Sequence, residues 1–345
     1  MSDRDAERLD FVAQAGWTGA ALAPLAGDAS LRRYVRLAHP QLGPAMLMDA
    51  PPETGEDCRP FVATNSWLEA QGYSAPRLLH ADLGRGFVLM EDLGDGLFAD
   101  LMRTGSPDTE RELYDAAIHL LADLHGRTPP SSLPVAGAQA WPLTPYGMEA
   151  LLTETALLPD WFYRYQTGAA LGGDARAEFD ALWQAVLPHA LPQTPVFVHR
   201  DYHAENLIWL ADRTGHGRVG LIDHQDALAG HPAYDLISLI EDARRSVPPA
   251  LAAHLTDLYC TVRKADDPAF DEAPFRLAMA VLAAQRNTKI VGIFARLALR
   301  DGKPKYLGLI PHVWTMLERD LTHPALAGLK RWTDTVFPPE LRIPR

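Results

Sequence analysis

One octapeptide constrains this chain more than any other stretch: HRDYHAEN at residues 199–206, which follows the apolar run 196–198. An aspartate at the end of a strand, Asp201, is placed to orient and deprotonate a hydroxyl group. Asn206 offers a side-chain oxygen to a metal ion, and Asp223, at the end of a second apolar run, offers a carboxylate. Mg²⁺ favours such sparse oxygen ligation, with water and nucleotide phosphates completing its octahedron. The pattern predicts a catalytic base and a magnesium site.

Composition excludes several classes of partner. The chain has 345 residues, 47% hydrophobic and 22% charged, which is ordinary for a soluble globular protein with room for two lobes. Its formal charge of −12 argues against nucleic acids and anionic membranes as partners, because both repel an acidic surface. No apolar run approaches the ~20 residues that span a bilayer, and the charged N-terminus lacks the apolar segment of a secretory signal.

The two cysteines, Cys58 and Cys260, lie far apart and match no metal or redox spacing. Thiols of this kind are typical of a reducing compartment. We therefore expect a cytoplasmic protein, and nothing in the sequence indicates an obligate protein partner.

The first part of the chain is predicted to be rich in strands. After an opening helix around 4–15, alternating or apolar runs bounded by turn residues predict strands, and one longer segment predicts a helix. The strands are expected at 33–37, 45–48, 77–80 and 87–90, and the helix at 60–70. Residues 91–96, EDLGDG, break this pattern and are interpreted as a hinge.

Beyond the hinge the pattern becomes helical. Ser106 followed by proline is a strong helix start, and that helix is expected to end near His125. Further helices are expected near 147–157, 159–166 and 174–187 and in the chain after residue 224, with a catalytic hairpin at 196–224. The predicted architecture is a bilobal α+β fold, with a nucleotide-binding N-lobe at 1–95 and a C-lobe at 96–345 for catalysis and acceptor binding.

Two segments of the N-lobe are candidates for nucleotide contacts. The turn at 27–30 would offer backbone N–H groups, including that of Ser30, to phosphates, and Arg32 and Arg33 beside it would add positive charge. At the hinge, the backbone of Glu91 and Leu93 would present N–H and C=O groups to an adenine edge.

Two further candidates lie inside the octapeptide, and others lie near the C-terminus. His203 would hydrogen-bond a phosphate or the substrate, and Glu205 would bind hydroxyls of the acceptor. If 278–300 is helical, Arg286, Lys289 and Arg296 fall within an arc of about 80°. This basic face is either solvated or a pocket for an anionic substrate.

Two other interpretations concern the same region. His199, Asp201, His203, Asp223 and His224 cluster in sequence, but their spacing matches no recognised zinc motif, which disfavours a metal hydrolase. Asp235, at the start of a later helix, is expected to cap that helix or to brace the catalytic loop.

Read as H-R-D-x-x-x-x-N, the octapeptide has the spacing of the catalytic loop of kinase-fold phosphotransferases, and these residues resemble the aminoglycoside phosphotransferase/choline kinase-like branch of the kinase superfamily. Within that branch the chain is most similar to bacterial kinases of N-acetylated amino sugars. The similarity lies in the segments GDASLRRYVRL, MLMDAPPE, GFVLMEDLGD, VFVHRDYHAENLIWL, GLIDHQDALAGHPAYDLISLIEDAR and QRNTKIVGIFARLALRDGKPKYL.

The resemblance implies a protein kinase-like fold and ATP-dependent phosphorylation of the anomeric hydroxyl of N-acetylmuramic acid or N-acetylglucosamine, a step of cell-wall (peptidoglycan) sugar recycling. It implies that Asp201 is the base and that Asn206 and Asp223 bind Mg²⁺. The lactyl carboxylate of N-acetylmuramic acid would give the basic face around Arg286 and Arg296 an anionic partner.

The chain departs from most kinases in two respects. The strand at 45–48 has no lysine for the nucleotide phosphates, so Glu69 in the next helix lacks the expected partner. No D-F-G and A-P-E pair bounds an activation loop, which argues for a small-molecule acceptor. Choline, homoserine or an aminoglycoside remain alternative acceptors. A silent nucleotide-binding module would be expected to lack Asp201, Asn206 or Asp223.

Overall fold

A computed structural model describes residues 3–25 and 31–345. The predicted phosphate-binding turn, with Ser30, lies outside the described residues. Within these two ranges, no helix combines the length and the apolarity needed to cross a membrane.

The helices and strands follow one another in a mixed order. The first half of the chain contains α1 (Asp3–Gln14), β1 (Ala21–Pro24), β2 (Arg33–His39), β3 (Gly43–Asp49), α2 (Arg59–Ala70), β4 (Leu78–Asp82), β5 (Phe87–Glu91), α3 (Phe98–Thr104), α4 (Pro107–His125), β6 (Ser132–Leu133), β7 (Trp141–Pro142) and α5 (Met148–Thr155). The second half contains a π-helix (Leu158–Tyr163), α6 (Arg164–Thr167), α7 (Gly173–Val186), β8 (Val196–Val198), β9 (Leu207–Trp209), β10 (Val219–Leu221), β11 (Leu228–Gly230), α8 (Ala233–Ile240), α9 (Pro249–Asp266), α10 (Glu272–Leu299), α11 (Ile310–Asp320) and α12 (Ala327–Val336).

The chain forms two compact units. Unit 1 comprises the described residues of 1–120 together with 130–143 and 204–227, and unit 2 comprises 121–129, 144–203 and 228–345. The sequence predicts a boundary at residue 95 between a nucleotide-binding N-lobe and a C-lobe for catalysis and acceptor binding. This assignment of functions to the two lobes stays a prediction.

Unit 1 is built on an antiparallel five-stranded sheet in the order β1-β2-β3-β5-β4. Side chains of a strand alternate between the two faces of a sheet, so Val35 and Leu37 of β2 are buried on one face. Phe11 and Val12 of α1 pack against that face, together with Leu47 and other apolar side chains of the sheet. This cluster is the hydrophobic core under the sheet.

A short β9–β10 ladder in unit 1 is attached to the rest of that unit by backbone hydrogen bonds. Leu221 N donates to Ser74 O over 3.0 Å, and Trp209 N donates to Gly96 O over 2.6 Å. A Cβ atom at position 96 would lie 2.5 Å from the carbonyl oxygen of Trp209, so this approach requires glycine.

Unit 2 is built around α10, a helix of 28 residues. The Asp271 side chain caps its first turn by accepting from Ala273 N over 3.1 Å. The helix contacts α5, α8, α11 and the π-helix and is buried along most of its length. At Gly292 a Cβ atom would lie 2.3 Å from the backbone of Leu157, which explains a glycine inside this long helix.

Most predicted elements are confirmed, but the prediction of a catalytic hairpin at 196–224 is wrong. The opening helix and the helix after Ser106 correspond to α1 and α4, and the segment 278–299 is helical as part of α10. The segment 196–224 is not one hairpin, because β8 pairs with β11, a strand that the sequence did not predict, and β9 pairs with β10. Three-residue apolar runs carry too little pattern to specify a partner, and β1, with four residues, is too short to show the pattern of a strand.

Candidate active site

The backbone before Asp201 is held by a buried carboxylate. Asp235, at the start of α8, accepts from His199 N over 2.6 Å and from Arg200 N over 2.9 Å. Arg200 has a φ of 73°, a left-handed conformation that is unfavourable for a side chain with a Cβ atom. The Ser238 hydroxyl also donates to Arg200 O over 3.4 Å. The expectation that Asp235 braces the catalytic loop is confirmed.

Replacing Asp235 with asparagine is expected to lower the free energy of unfolding by about 2 to 4 kcal/mol and to reduce turnover. The amide can accept one of the two N–H groups, while its own NH₂ faces the other. Urea denaturation of Asp235→Asn and of Asp174→Asn measures the difference between their free energies of unfolding. Asp174→Asn makes the same charge change at an exposed site in α7. Equal stability of the two variants would contradict the bracing role.

Asp201 is half-buried and lies in a positive environment. Burial by itself raises the pKa of this carboxyl, but His203, once it is protonated at low pH, together with Lys289 and Arg200 outweighs burial, and the pKa lies below its ordinary value. Asp201 is therefore ionised at neutral pH and can accept a hydrogen bond from a hydroxyl group.

His203 is buried, and its backbone N–H donates to Asp201 O over 3.0 Å. Burial lowers the pKa of its imidazole to about 4, although Asp242 and Asp201 oppose that shift. The ring is consequently neutral near pH 7. It can donate or accept one hydrogen bond, but it does not supply a positive charge to a phosphate. Its predicted catalytic role stays a prediction.

Asn206 and Asp223 lie together in unit 1. Asn206 Nδ2 is 3.5 Å from Asp223 Oδ2, and Gln225 Nε2 donates to Asp223 Oδ1 over 2.9 Å. Asp223 has a φ of 60°, and among the described residues it shares a positive φ only with Arg200 and glycines. The two side chains thus lie side by side, and their carboxylate and amide oxygens are hard ligands of the kind that Mg²⁺ prefers, so the two residue types fit this ion.

The residues after Asp223 attach it to helix α2. The His224 ring is fully buried, stacks on Phe61 with 4.9 Å between ring centroids, and shares a hydrogen bond of 3.0 Å with Asn65 Oδ1. Asn65 Nδ2 in turn donates to Pro76 O over 2.7 Å. His224 is thus a packing residue, and in the described part of the chain no group of three or more His, Cys, Asp and Glu could hold a metal. The described residues therefore offer no set of zinc ligands for the metal-hydrolase alternative.

The described nucleotide candidates all lie in unit 1. The Arg32 guanidinium pairs with Glu56 over 2.8 Å, whereas Arg33 is exposed. Glu91 N donates to Arg77 O over 2.8 Å, so this N–H group is already bonded. Leu93 lies against Gly220. Adenine contact through Leu93 and phosphate contact through Arg32 and Arg33 stay predictions.

The basic residues of α10 do not form one solvent-exposed face of the helix. Arg286 is 5% exposed and donates to Glu241 O and Ser238 Oγ, each over 3.0 Å. Lys289 pairs with Glu154. Helical spacing placed these cations on one side of the helix but gave no information on what packs against that side. Arg296 is half-buried, and its Nε atom has no hydrogen-bond partner within the described ranges.

Several residues of the site were not found in the sequence. Glu154 contacts Arg200 of the octapeptide, Asn65 contacts His224 and Gln225 contacts Asp223, yet each is an isolated polar residue without a motif. Glu205, predicted to bind the acceptor, lies half-buried in the 3₁₀ turn Ala204–Asn206. Glu69 of α2 is exposed, in keeping with the absence of a strand lysine.

Known proteins share both the sequence and the fold. The chain is 40% identical to an N-acetylmuramate/N-acetylglucosamine kinase of Caulobacter vibrioides over 99% of both chains, and 37% identical to the one of Pseudomonas aeruginosa over 92% of this chain and 90% of the relative. Its fold is similar to that of a choline kinase from Streptococcus pneumoniae (13% identity, 94% and 99% covered, TM-score 0.60). It is also similar to that of the ADP-bound aminoglycoside phosphotransferase APH(2'')-Ib (14% identity, 92% and 97% covered, TM-score 0.56).

These similarities confirm the protein kinase-like α+β fold expected from the sequence. The model of the phosphotransferase enzyme family matches residues 21–274, which include the octapeptide and Asp223. With this match over more than half of its length, the chain belongs to the phosphotransferase enzyme family.

Proposed function

We propose that the protein transfers the γ-phosphoryl group of ATP to the anomeric hydroxyl of N-acetylmuramic acid and N-acetylglucosamine, forming the sugar 1-phosphate and ADP. One observation carries the proposal: the curated relatives that match nearly the whole chain are named N-acetylmuramate/N-acetylglucosamine kinase. The braced loop before an ionised Asp201 supports it, because phosphoryl transfer needs an oriented hydroxyl more than covalent help from the protein.

In the proposed reaction Asp201 accepts a hydrogen bond from the anomeric hydroxyl and aligns its oxygen with the γ-phosphorus. A carboxylate with a lowered pKa is a weak base, so it takes the proton late, when the bond from oxygen to phosphorus has largely formed. The proton leaves the sugar oxygen and ADP departs with the bridging oxygen. His203, neutral and buried, would hold the phosphate or the sugar by a hydrogen bond.

Asn206 and Asp223 would hold Mg²⁺ through their side-chain oxygens. When bound, the ion neutralises charge on the phosphate oxygens. Gln225 fixes the Asp223 carboxylate by its hydrogen bond, and His224 fixes the adjoining backbone to α2. Without a strand lysine, the remaining neutralisation would come from Arg32, Arg33 and the backbone near Ser30. We place the reaction in the cytoplasm, where ATP is available.

Of the three predicted anion-binding residues, Arg296 is the best candidate for the lactyl carboxylate, because Arg286 and Lys289 are bonded to protein groups. Arg296→Gln is expected to raise the KM for N-acetylmuramate by about 10- to 100-fold, since a charged hydrogen bond is lost. The KM for N-acetylglucosamine, which has no carboxylate, should stay the same. Steady-state kinetics with both sugars, with Arg300→Gln as the exposed control, would measure this; equal losses on both sugars would exclude the role.

A screen for ATP consumption tests the function itself. The acceptors should include N-acetylmuramate, N-acetylglucosamine, choline, homoserine and an aminoglycoside. We expect consumption with the two amino sugars and an anomeric phosphate in the ³¹P and ¹H NMR spectra of the product. Consumption with choline, homoserine or the aminoglycoside alone, or phosphate at another hydroxyl, would overturn the proposal.

A further inference from the structure

The carboxylate of Asp235 has a third polar neighbour besides the two backbone N–H groups of the octapeptide. His125, the last residue of α4, places its Nε2 atom 3.5 Å from Asp235 Oδ2. On the other side of the ring, Nδ1 lies 2.8 Å from the hydroxyl oxygen of Tyr259 in α9. All three side chains are buried and belong to unit 2. Each nitrogen of a buried imidazole therefore faces one defined polar group.

The protons of this row of groups are limited by burial. Burial raises the pKa of the Tyr259 hydroxyl, so the hydroxyl keeps its proton. In the part of the chain that the structure describes, His125 Nδ1 is the only hydrogen-bond partner of this hydroxyl. Burial also lowers the pKa of the His125 imidazole, although Asp235 opposes this shift. The ring is consequently neutral near pH 7 and carries a single N–H group.

This N–H group lies on Nε2 for two reasons. If Nδ1 carried the proton, Nδ1 would donate to Tyr259, and the buried hydroxyl proton would be left without an acceptor. The lone pair of Nε2 would also face the Asp235 carboxylate, which can only accept. With the proton on Nε2, Tyr259 donates to Nδ1 and the positive end of the N–H dipole lies near Asp235. At 3.5 Å this contact is longer than a good hydrogen bond, so it acts through charge and dipole.

The ring of Tyr259 is held in place by packing. It stacks on Phe275 of α10, with 5.2 Å between the ring centroids and 16° between the ring planes. Phe275 is itself buried. The polar groups thus run from a fixed hydroxyl in α9, through His125 of α4, to Asp235 of α8. Asp235 passes the restraint on, because it accepts the backbone N–H groups that precede Asp201.

We propose that His125 is a positioning residue of the kinase: held by Tyr259 as the neutral Nε2–H tautomer, it fixes the Asp235 carboxylate, which holds the backbone before Asp201. The two oxygens of Asp235 accept one backbone N–H group each, so a rotated carboxylate would lose them. The ring N–H group opposes that rotation. The inference rests on the proposed function only in taking Asp201 as the base.

The tautomer is tested on the wild-type protein by NMR, without any substrate. Long-range ¹H–¹⁵N correlation spectra of protein labelled at histidine distinguish protonated from unprotonated ring nitrogens, and the signals missing in His125→Gln identify the residue. Near pH 7 we expect a protonated Nε2 and an unprotonated Nδ1. In Tyr259→Phe the Nδ1 signal should shift, because Nδ1 loses its donor. A protonated Nδ1 in the wild type, or an unchanged Nδ1 signal in Tyr259→Phe, would overturn the inference.

Two variants of nearly equal shape test the positioning role. His125→Gln keeps an N–H group near the place of Nε2, and His125→Met removes it. We expect kcat to fall about 10- to 100-fold in His125→Met and to stay within about fivefold of the wild type in His125→Gln, since a misplaced catalytic group lowers the rate. The affinity for ADP should be unchanged in both. His119→Met, the same change at an exposed position of α4, is the matched control.

A purely structural His125 would give equal kcat values in the glutamine and methionine variants, and that result would overturn the inference. If His125→Met does not fold, Tyr259→Phe takes its place, because it removes only the hydroxyl that fixes the tautomer. Its kcat should fall at least about threefold, and a smaller loss would contradict the role. If the wild-type protein phosphorylates another acceptor, the proposed function fails, and the same ratios of kcat are measured with that acceptor.

Discussion

Asp201→Asn is expected to reduce kcat by a factor of about 10² to 10⁴, the contribution of a general base in proton transfer. The amide keeps the size of the side chain and one accepting oxygen, but it cannot take the hydroxyl proton. Asp235 continues to hold the backbone of the loop through His199 and Arg200, so the fold should remain intact.

The nucleotide affinity of Asp201→Asn distinguishes catalysis from binding. Calorimetric titration with ADP should give the wild-type dissociation constant, because Asn206 and Asp223 are unchanged. Asp174→Asn, which removes an exposed carboxylate from α7, serves as the control for the loss of charge. Near-normal turnover of Asp201→Asn would remove the basis for the kinase mechanism.

Asp223→Asn is expected to lower kcat/KM for ATP by about 10²- to 10³-fold, as the loss of one electrostatic group at a transferring phosphoryl does. The carboxylate is the charged member of the proposed metal pair, and Gln225 presents it by a hydrogen bond of 2.9 Å. Asparagine can keep this hydrogen bond, so the variant isolates the effect of charge.

A magnesium titration at fixed ATP provides the measurement. The concentration of Mg²⁺ at half-maximal rate should rise in Asp223→Asn, and Mg²⁺ should no longer strengthen ADP binding. Asp212→Asn, an exposed acid between β9 and β10, should respond like the wild type. An unchanged magnesium dependence would place the ion on other residues.

The octapeptide at 199–206 could be proposed as a catalytic loop from the sequence because its chemistry is local. Asp201 and Asn206 are five residues apart, and covalent geometry limits how far such groups can separate. The helices α1 and α4 were predicted because signals for a helix, such as the start at Ser106 followed by proline, lie within the sequence of the helix itself. Pairing of β8 with β11 was not predictable, because a run of three apolar residues carries no information on its partner.

The basic residues of α10 show more clearly what could not be predicted from the sequence. Helical spacing correctly placed Arg286 and Lys289 on one side of α10, and it suggested a surface for an anionic substrate. The structure buries Arg286, half-buries Lys289 and supplies their partners from Ser238, Glu241 and Glu154, which lie on other elements. A helix reveals which residues share a face, but not which neighbour covers that face.

By itself the sequence predicted the reaction: the proposed base, the two proposed metal ligands and their order along the chain follow from one motif and one strand-end acid. The tertiary structure alone decided how that motif is held. Asp235 comes 36 residues after His199, and Glu154 comes 46 residues before Arg200, so both contacts form only when α5 and α8 pack in unit 2. The physical reason is that a buried charge is stable only beside its partners, and folding selects those partners from distant segments.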